Sequence, residues 1–181
     1  LESTAAVHLP GLLSGLHRHH RALEVQLTTG TSGALLRQMR AGELDTAFVA
    51  GEVGEPGLFT DPAFVEEMVL ITSAPSPGRP ESLVGRTLVA FGAGCAYRSC
   101  IETWLAARNV RPSRTYEVGS YHAMIACVAA GVGYALAPRS VVRICSSHET
   151  VRVHRPEPRP WRMTTWLVRR ATDRSPAVEA L

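Results

Sequence analysis

Lysine is missing from this 181-residue chain, and all 19 basic side chains are arginine. Beside abundant alanine and glycine, that bias points to GC-rich coding rather than to phosphate recognition. The arginines are scattered, with no stripe of the kind a DNA footprint needs, and the formal net charge is only +3. No apolar run approaches the ~18 residues that would cross a membrane. The first residues show neither a basic leader nor an apolar stretch ending at a small-residue cleavage site. Cys95, Cys100, Cys127 and Cys145 are too few for a disulfide framework and contain no CxxC pair, which argues against structural zinc. Reduced thiols in a cytoplasm are the expectation, with no membrane partner. Catalytic signatures are missing too: there is no HExxH and no phosphate-binding loop, and Gly92-x-Gly94 lacks the third glycine of a dinucleotide fingerprint. Gly30-Thr31-Ser32-Gly33 misses the spacing of a nucleophile elbow by one residue. Neither an enzyme, a metal nor a cofactor is expected.

What is present is ordinary for a folded protein: 45% hydrophobic and 19% charged residues, with mean hydropathy +0.02. The length suits one domain or two small lobes. Leu9, Leu12, Leu13 and Leu16 recur at helical spacing, predicting an amphipathic helix over Ser3 to Ala22, with Pro10 near its start or at a kink. Its polar side carries His17, Arg18, His20 and Arg21; within the group His17, His19 and His20, His17 and His20 could share a face and hold a metal with a third ligand, but a solvated face is the expectation. Glu24 to Leu27 alternates like a strand. Thr31 and Ser32 can cap a helix bearing Leu35, Leu36 and Met39, with Gly42 as its stop. Asp45 to Ala50 is a short buried strand closed by Gly51, and Met68 to Thr72 a further strand. The run Ala74-Pro75-Ser76-Pro77-Gly78-Arg79-Pro80 is the most linker-like stretch, and a lobe boundary is expected beside it.

The rhythm then restarts. Thr87 to Phe91 predicts a strand, Gly92-Ala93-Gly94 a tight turn, and Ala96 to Asn109 a helix with Ile101, Trp104, Leu105 and Arg108 at helical spacing. Tyr116 to Val118 follows as a strand. Ser120 caps a helix bearing Met124, Ile125 and Val128, with Cys127 in its core, and Gly131 stops it. Tyr134 to Ala137 is a strand, and Pro138 opens another helix. A second proline-rich stretch, Pro156 to Pro160, precedes an alternating strand from Trp161 to Arg169. Strands alternating with helices predict α/β lobes built on mostly parallel sheets, and two proline-rich crossings predict a chain that enters a second lobe and returns to the first. A hinge of that kind leaves a cleft suited to a ligand.

The helix starts carry the chemical signal. Ser3-Thr4, Thr31-Ser32, Gly94-Cys95 and Ser120-Tyr121 each place a small hydroxyl, thiol or glycine where unpaired backbone N–H groups favour an anion. In a parallel sheet these starts gather on the edge formed by the strand carboxyl ends. Any one of them is accounted for by capping alone, but four beside a hinge favour a small anionic or polar ligand. Cys95 has a further rationale, because a helix start and nearby Arg98 should lower its thiol pKa and suit it to redox sensing. A disulfide with Cys100 is disfavoured, since an i, i+5 pair on a helix holds the Cα atoms roughly 8 Å apart.

Four segments, Ala41-Gly42-Glu43-Leu44-Asp45-Thr46-Ala47-Phe48-Val49, Glu66-Glu67-Met68-Val69-Leu70-Ile71, Phe91-Gly92-Ala93-Gly94-Cys95-Ala96-Tyr97-Arg98 and the stretch from Val128 through Gly131-Val132-Gly133 to Val141, carry a resemblance. On them the sequence resembles the effector-binding domain of LysR-type transcriptional regulators along nearly its whole length. The resemblance implies a two-lobed, periplasmic-binding-protein-like type II fold. Residues 1–72 with 161–181 would form one lobe and 73–160 the other. It implies a small polar or anionic effector in the interlobe cleft, biasing a homodimer or homotetramer. DNA would be bound only through a winged helix-turn-helix domain that this sequence does not contain, and the strand that normally precedes Ser3 is likewise missing from it. Matched residue by residue, the effector contacts would be Ser3, Thr4, Thr31, Ser32, Ala50, Gly51, Gly94, Cys95, Tyr97, Arg98, Ser120 and Tyr121. Arg98 is the best candidate for clamping a carboxylate. A transport-type solute-binding protein of the same architecture and a thiol sensor acting through Cys95 are the alternatives.

Overall fold

A computed structural model describes residues 1–145, 151–157 and 161–171. The elements run α1 (Glu2–Val7), α2 (Leu9–His19), α3 (Ser32–Ala41), β1 (Thr46–Ala50) and β2 (Leu58–Thr72). A 3₁₀ turn at Pro80–Leu83 leads to β3 (Thr87–Ala90), α4 (Ala96–Ala106), β4 (Arg114–Glu117) and α5 (Tyr121–Ala129). The chain continues with β5 (Gly133–Pro138), α6 (Arg139–Cys145), β6 (Arg152–His154) and β7 (Arg162–Arg170). It divides into two compact units, Leu1–Phe64 with the chain from Thr164 onward, and Val65–Met163. The crossings therefore fall within β2 and β7, and the proline-rich run from Ala74 to Pro80 lies in the second unit.

In the first unit, α3 forms for the reasons its sequence gives. Thr31 keeps an extended backbone and its Oγ1 accepts from the Ala34 N–H at 3.3 Å. Gly42 ends the helix in the left-handed region at φ 74°, where a side chain would be strained. Leu35 and Met39, one turn apart, bury against Ala47 and Val49 of β1 and Val168 of β7 to make the core of this unit. β1 pairs antiparallel with β7, with Phe48 opposite Leu167. The expected first helix is two helices, broken at His8, because Pro10 belongs in a first turn and the second helix begins at Leu9. The predicted strand over Glu24 to Leu27 is not formed. A strand exists only through a neighbour's hydrogen bonds; no described strand pairs with this stretch, and Val25 and Leu27 stand exposed.

The second unit holds the parallel ladder. β3 lies between β4 and β5 and is parallel to both, while β5 pairs antiparallel with the second half of β2. All four residues of β3 and all six of β5 are buried, as strands covered on both faces require. Ser120 caps α5 by accepting from the Ala123 N–H at 3.2 Å, and Met124, Ile125 and Val128 bury its inner face. Cys127 is half-buried rather than core, because it sits beside that stripe. α4 stops at Ala106, ahead of the expected Asn109, which has turned into the left-handed region at φ 55°.

Gly133 and Tyr134, adjacent on β5, respond in opposite ways to a change in size. A Cβ on Gly133 would stand 2.0 Å from the Thr87 carbonyl oxygen, a backbone atom that cannot yield. The Tyr134 hydroxyl is buried without a hydrogen-bond partner among the described residues, and burial pushes its pKa up to about 12. Gly133→Ala should therefore lower stability by about 1–3 kcal/mol in urea unfolding. Tyr134→Phe should leave it unchanged or raise it by up to about 1 kcal/mol, since only an unsatisfied polar group is lost.

Candidate functional site

In each unit the candidate residues lie where a helix begins against the carboxyl end of a strand. The first unit ties its helix start down through one hydroxyl. Ser32 Oγ accepts from the Ala50 N–H at 3.0 Å and donates to the Ala50 carbonyl at 3.1 Å, so the opening turn of α3 is latched to the last residue of β1. The latch is 6% exposed at Ser32. Gly51 follows at φ 90°, a conformation that favours glycine, and its N–H donates to the Thr164 carbonyl at 3.2 Å. Ser3 and Thr4 are both buried in α1. Ser32, Ala50 and Gly51 thus form one connected group. Ser32 Oγ is bonded to both backbone groups of Ala50.

In the second unit β3 leads into α4 and β4 into α5, and the two strands are parallel, so both helix starts share one sheet edge. Gly94, at φ 86°, makes the turn, and Cys95 is the N-cap of α4 without a side-chain capping bond. Cys95, Tyr97 and Arg98 line a small cavity together with Phe91 and Met124. Its volume is about 10 Å³, room for roughly one water. Tyr121 is 2% exposed and meets Phe91 edge to face at 4.9 Å between ring centroids, which walls the same corner.

Arg98 is the charged group of this corner. Its Nε donates to Glu102 Oε1 at 2.8 Å, and its Nη1 donates to Glu117 Oε1 at 2.5 Å and to the Phe91 carbonyl at 3.2 Å. Hydrogen bonds to Glu102 and then Glu117 raise its pKa further, holding it as a cation. The Glu102 partner was legible as an i, i+4 pair on a helix. Glu117 was not, because it comes from the end of a different strand and only the parallel register of β3 and β4 delivers it.

Cys95 departs from expectation. Burial pushes its thiol up, and this outweighs the backbone N–H groups of Arg98 and Tyr97 and the Arg98 charge, all of which pull the other way. A helix start lowers a thiol pKa only where water or a counter-charge shares the site, and this thiol is 9% exposed. Among the described residues no cysteine is in a disulfide. His17, His19 and His20 are exposed, and no group of three or more metal-ligating side chains forms among the described residues. No helix is long and apolar enough to cross a membrane among those residues.

Two predictions follow the hydroxyl and the thiol. Ser32→Ala leaves the Ala50 N–H and carbonyl unpaired in a buried place and should cost about 1–3 kcal/mol in thermal unfolding. Native Cys95 should alkylate with iodoacetamide more slowly than an ordinary cysteine at neutral pH. Its rate should climb only as pH rises beyond the usual thiol range, because a raised pKa keeps the thiolate scarce until then; peptide mapping by mass spectrometry reads the difference.

Comparison with known proteins agrees with this arrangement. A family model described as the LysR substrate binding domain matches residues 1–181. The uncharacterized HTH-type transcriptional regulator YusT of Bacillus subtilis is 36% identical over 170 residues, covering 93% of this chain and 57% of YusT. The chain thus spans less than two thirds of the length of that relative. Among solved structures, the CcmR regulatory domain of Synechocystis PCC6803 in complex with 2-PG superposes with a TM-score of 0.85 at 17% identity, covering 98% of this chain and 88% of that one. The effector binding domain of QuiR in complex with shikimate gives 0.80 at 17% identity, covering 98% and 88%. The fold shared with these domains is α/β and periplasmic-binding-protein-like, of type II.

Proposed function

Since the chain belongs to the LysR substrate-binding domain family, we propose that it is the ligand-sensing regulatory part of a bacterial LysR-type transcription factor. Its ligand is a small polar or anionic metabolite, docked against polar helix starts. The observation that carries this is the second unit's corner, where the starts of α4 and α5 share a sheet edge and Arg98, Cys95 and Tyr97 surround one small cavity. Unpaired N–H groups at helix starts and a guanidinium recognise charge without transforming it. The buried Cys95 thiol is held towards its neutral form while Arg98 stays charged, which favours binding over turnover. The 2-PG and shikimate complexes of CcmR and QuiR support a small oxygen-rich ligand.

The effector acts by differential affinity for alternative arrangements of a homodimer or homotetramer, since a ligand moves an equilibrium only as far as its preference allows. DNA is bound by a helix-turn-helix domain outside this sequence, and the protein works in the cytoplasm.

Thermal unfolding of the 181-residue chain against a metabolite panel that includes 2-PG and shikimate tests the proposal. A true effector at 100 times its dissociation constant should add about 2.7 kcal/mol to stability. Thr31→Val removes a cap and lowers stability by about 1 kcal/mol on its own. The ligand-induced gain should shrink as well, and a gain identical to that of the wild type would remove Thr31 from the site. Turnover of any panel member would overturn the non-enzymatic assignment.

A further inference from the structure

Arg98 has five N–H donors, and the protein uses only part of them. Nε serves Glu102, and Nη1 is shared between Glu117 and the Phe91 carbonyl, while Nη2 has no hydrogen-bond partner among the described residues. The guanidinium side chain is 19% exposed and lines the cavity at the end of β3, whereas its two carboxylate partners face water, Glu117 at 58% and Glu102 at 45% exposure. A planar carboxylate or a tetrahedral oxyanion binds arginine best across two adjacent nitrogens. The edge formed by Nη1 and Nη2 is half open, and what occupies its other half is the protein's own Glu117.

We propose that Glu117 is a built-in stand-in for the effector's anionic group. It holds the Nη1 side of Arg98 when no ligand is present and gives way when an external oxyanion takes the Nη1–Nη2 edge. The site therefore binds a carboxylate, sulfate or phosphate group, and its affinity is set by exchange rather than by addition of charge. Two carboxylates on one guanidinium leave the corner with a net negative charge, so an incoming anion that left Glu117 in place would meet repulsion. Displacement of Glu117 removes it at little cost, because the Glu117 side chain is already mostly solvated and returns to water. Glu102, on the same helix and bonded through Nε, keeps the guanidinium plane oriented throughout. Glu117 ends β4, and the next residue, Val118, donates its N–H to the Ala90 carbonyl at the end of β3, so the backbone beside the exchanging side chain is held independently of it. This inference rests on the effector reading above but names its charge and its anchor.

Sulfate and acetate, titrated at constant ionic strength and followed by the amide NMR shifts of Tyr97 and Arg98, supply the test. Glu117→Gln, which keeps the side chain's size and removes its charge, should tighten saturable sulfate binding about threefold, the range expected for loss of a competing exposed ion pair. Arg98→Gln should weaken it at least tenfold, and Arg98→Lys, which keeps the charge without the fork, should fall between; circular dichroism confirms that each variant is folded. Equal sulfate affinity in the wild type and Glu117→Gln overturns the exchange, as does retention of binding in Arg98→Gln. If neither anion binds any variant while a neutral metabolite still raises thermal stability, the anion anchor is wrong and the effector-sensing assignment survives. If no ligand of either charge stabilises the chain, both fail together.

Discussion

Two helix starts in this protein, those of α3 and α4, are held against the end of a strand by a side chain rather than by backbone alone. Ser32 satisfies both the N–H and the carbonyl of Ala50, and Arg98 reaches the Phe91 carbonyl from the first turn of α4. A backbone group at a strand end has no ladder partner beyond it and would face a desolvation penalty if buried unpaired. Supplying that partner from the following or preceding helix fixes the helix position and leaves its first N–H groups at the same edge. The fold thereby places polar helix starts at strand ends as a consequence of meeting its own hydrogen-bonding needs.

The same corner treats its thiol and its guanidinium in opposite ways. Burial pushes the Cys95 thiol towards its neutral form, while Arg98, close by, is driven further into its charged form by two carboxylates. Low water content penalises an isolated charge but tolerates one that is paired. The corner therefore holds a paired cation beside a thiol kept towards its neutral form. Apolar groups wall one side of it, with Phe91 edge to face on Tyr121 and Met124 lining the same cavity.

Much of the architecture was legible before any coordinates, and the legible parts have local causes. Capping by Thr31 and Ser120, the stop at Gly42 and the buried stripes of α3 and α5 depend on residues within a turn or two of each other. The stretch from Glu24 to Leu27 shows the opposite situation. Its alternation is real, yet a strand requires a partner, and the pattern of one segment says nothing about whether its neighbour is there. The raised pKa of Cys95 belongs to the same class: sequence shows the helix start and the nearby arginine, but burial, which decides the direction, is a property of the folded surroundings.

Composition and spacing by themselves determined the α/β class, most of the capped helices and the positions where polar helix starts would fall, because those features arise from interactions between near neighbours along the chain. Only the tertiary structure decided that Ser32 is spent on Ala50, that the Cys95 thiol is sealed from water, and that Glu117 meets Arg98. Each of those contacts joins residues that are either far apart in sequence or enclosed by groups that are, and the free energy of such a contact depends on who else is buried beside it.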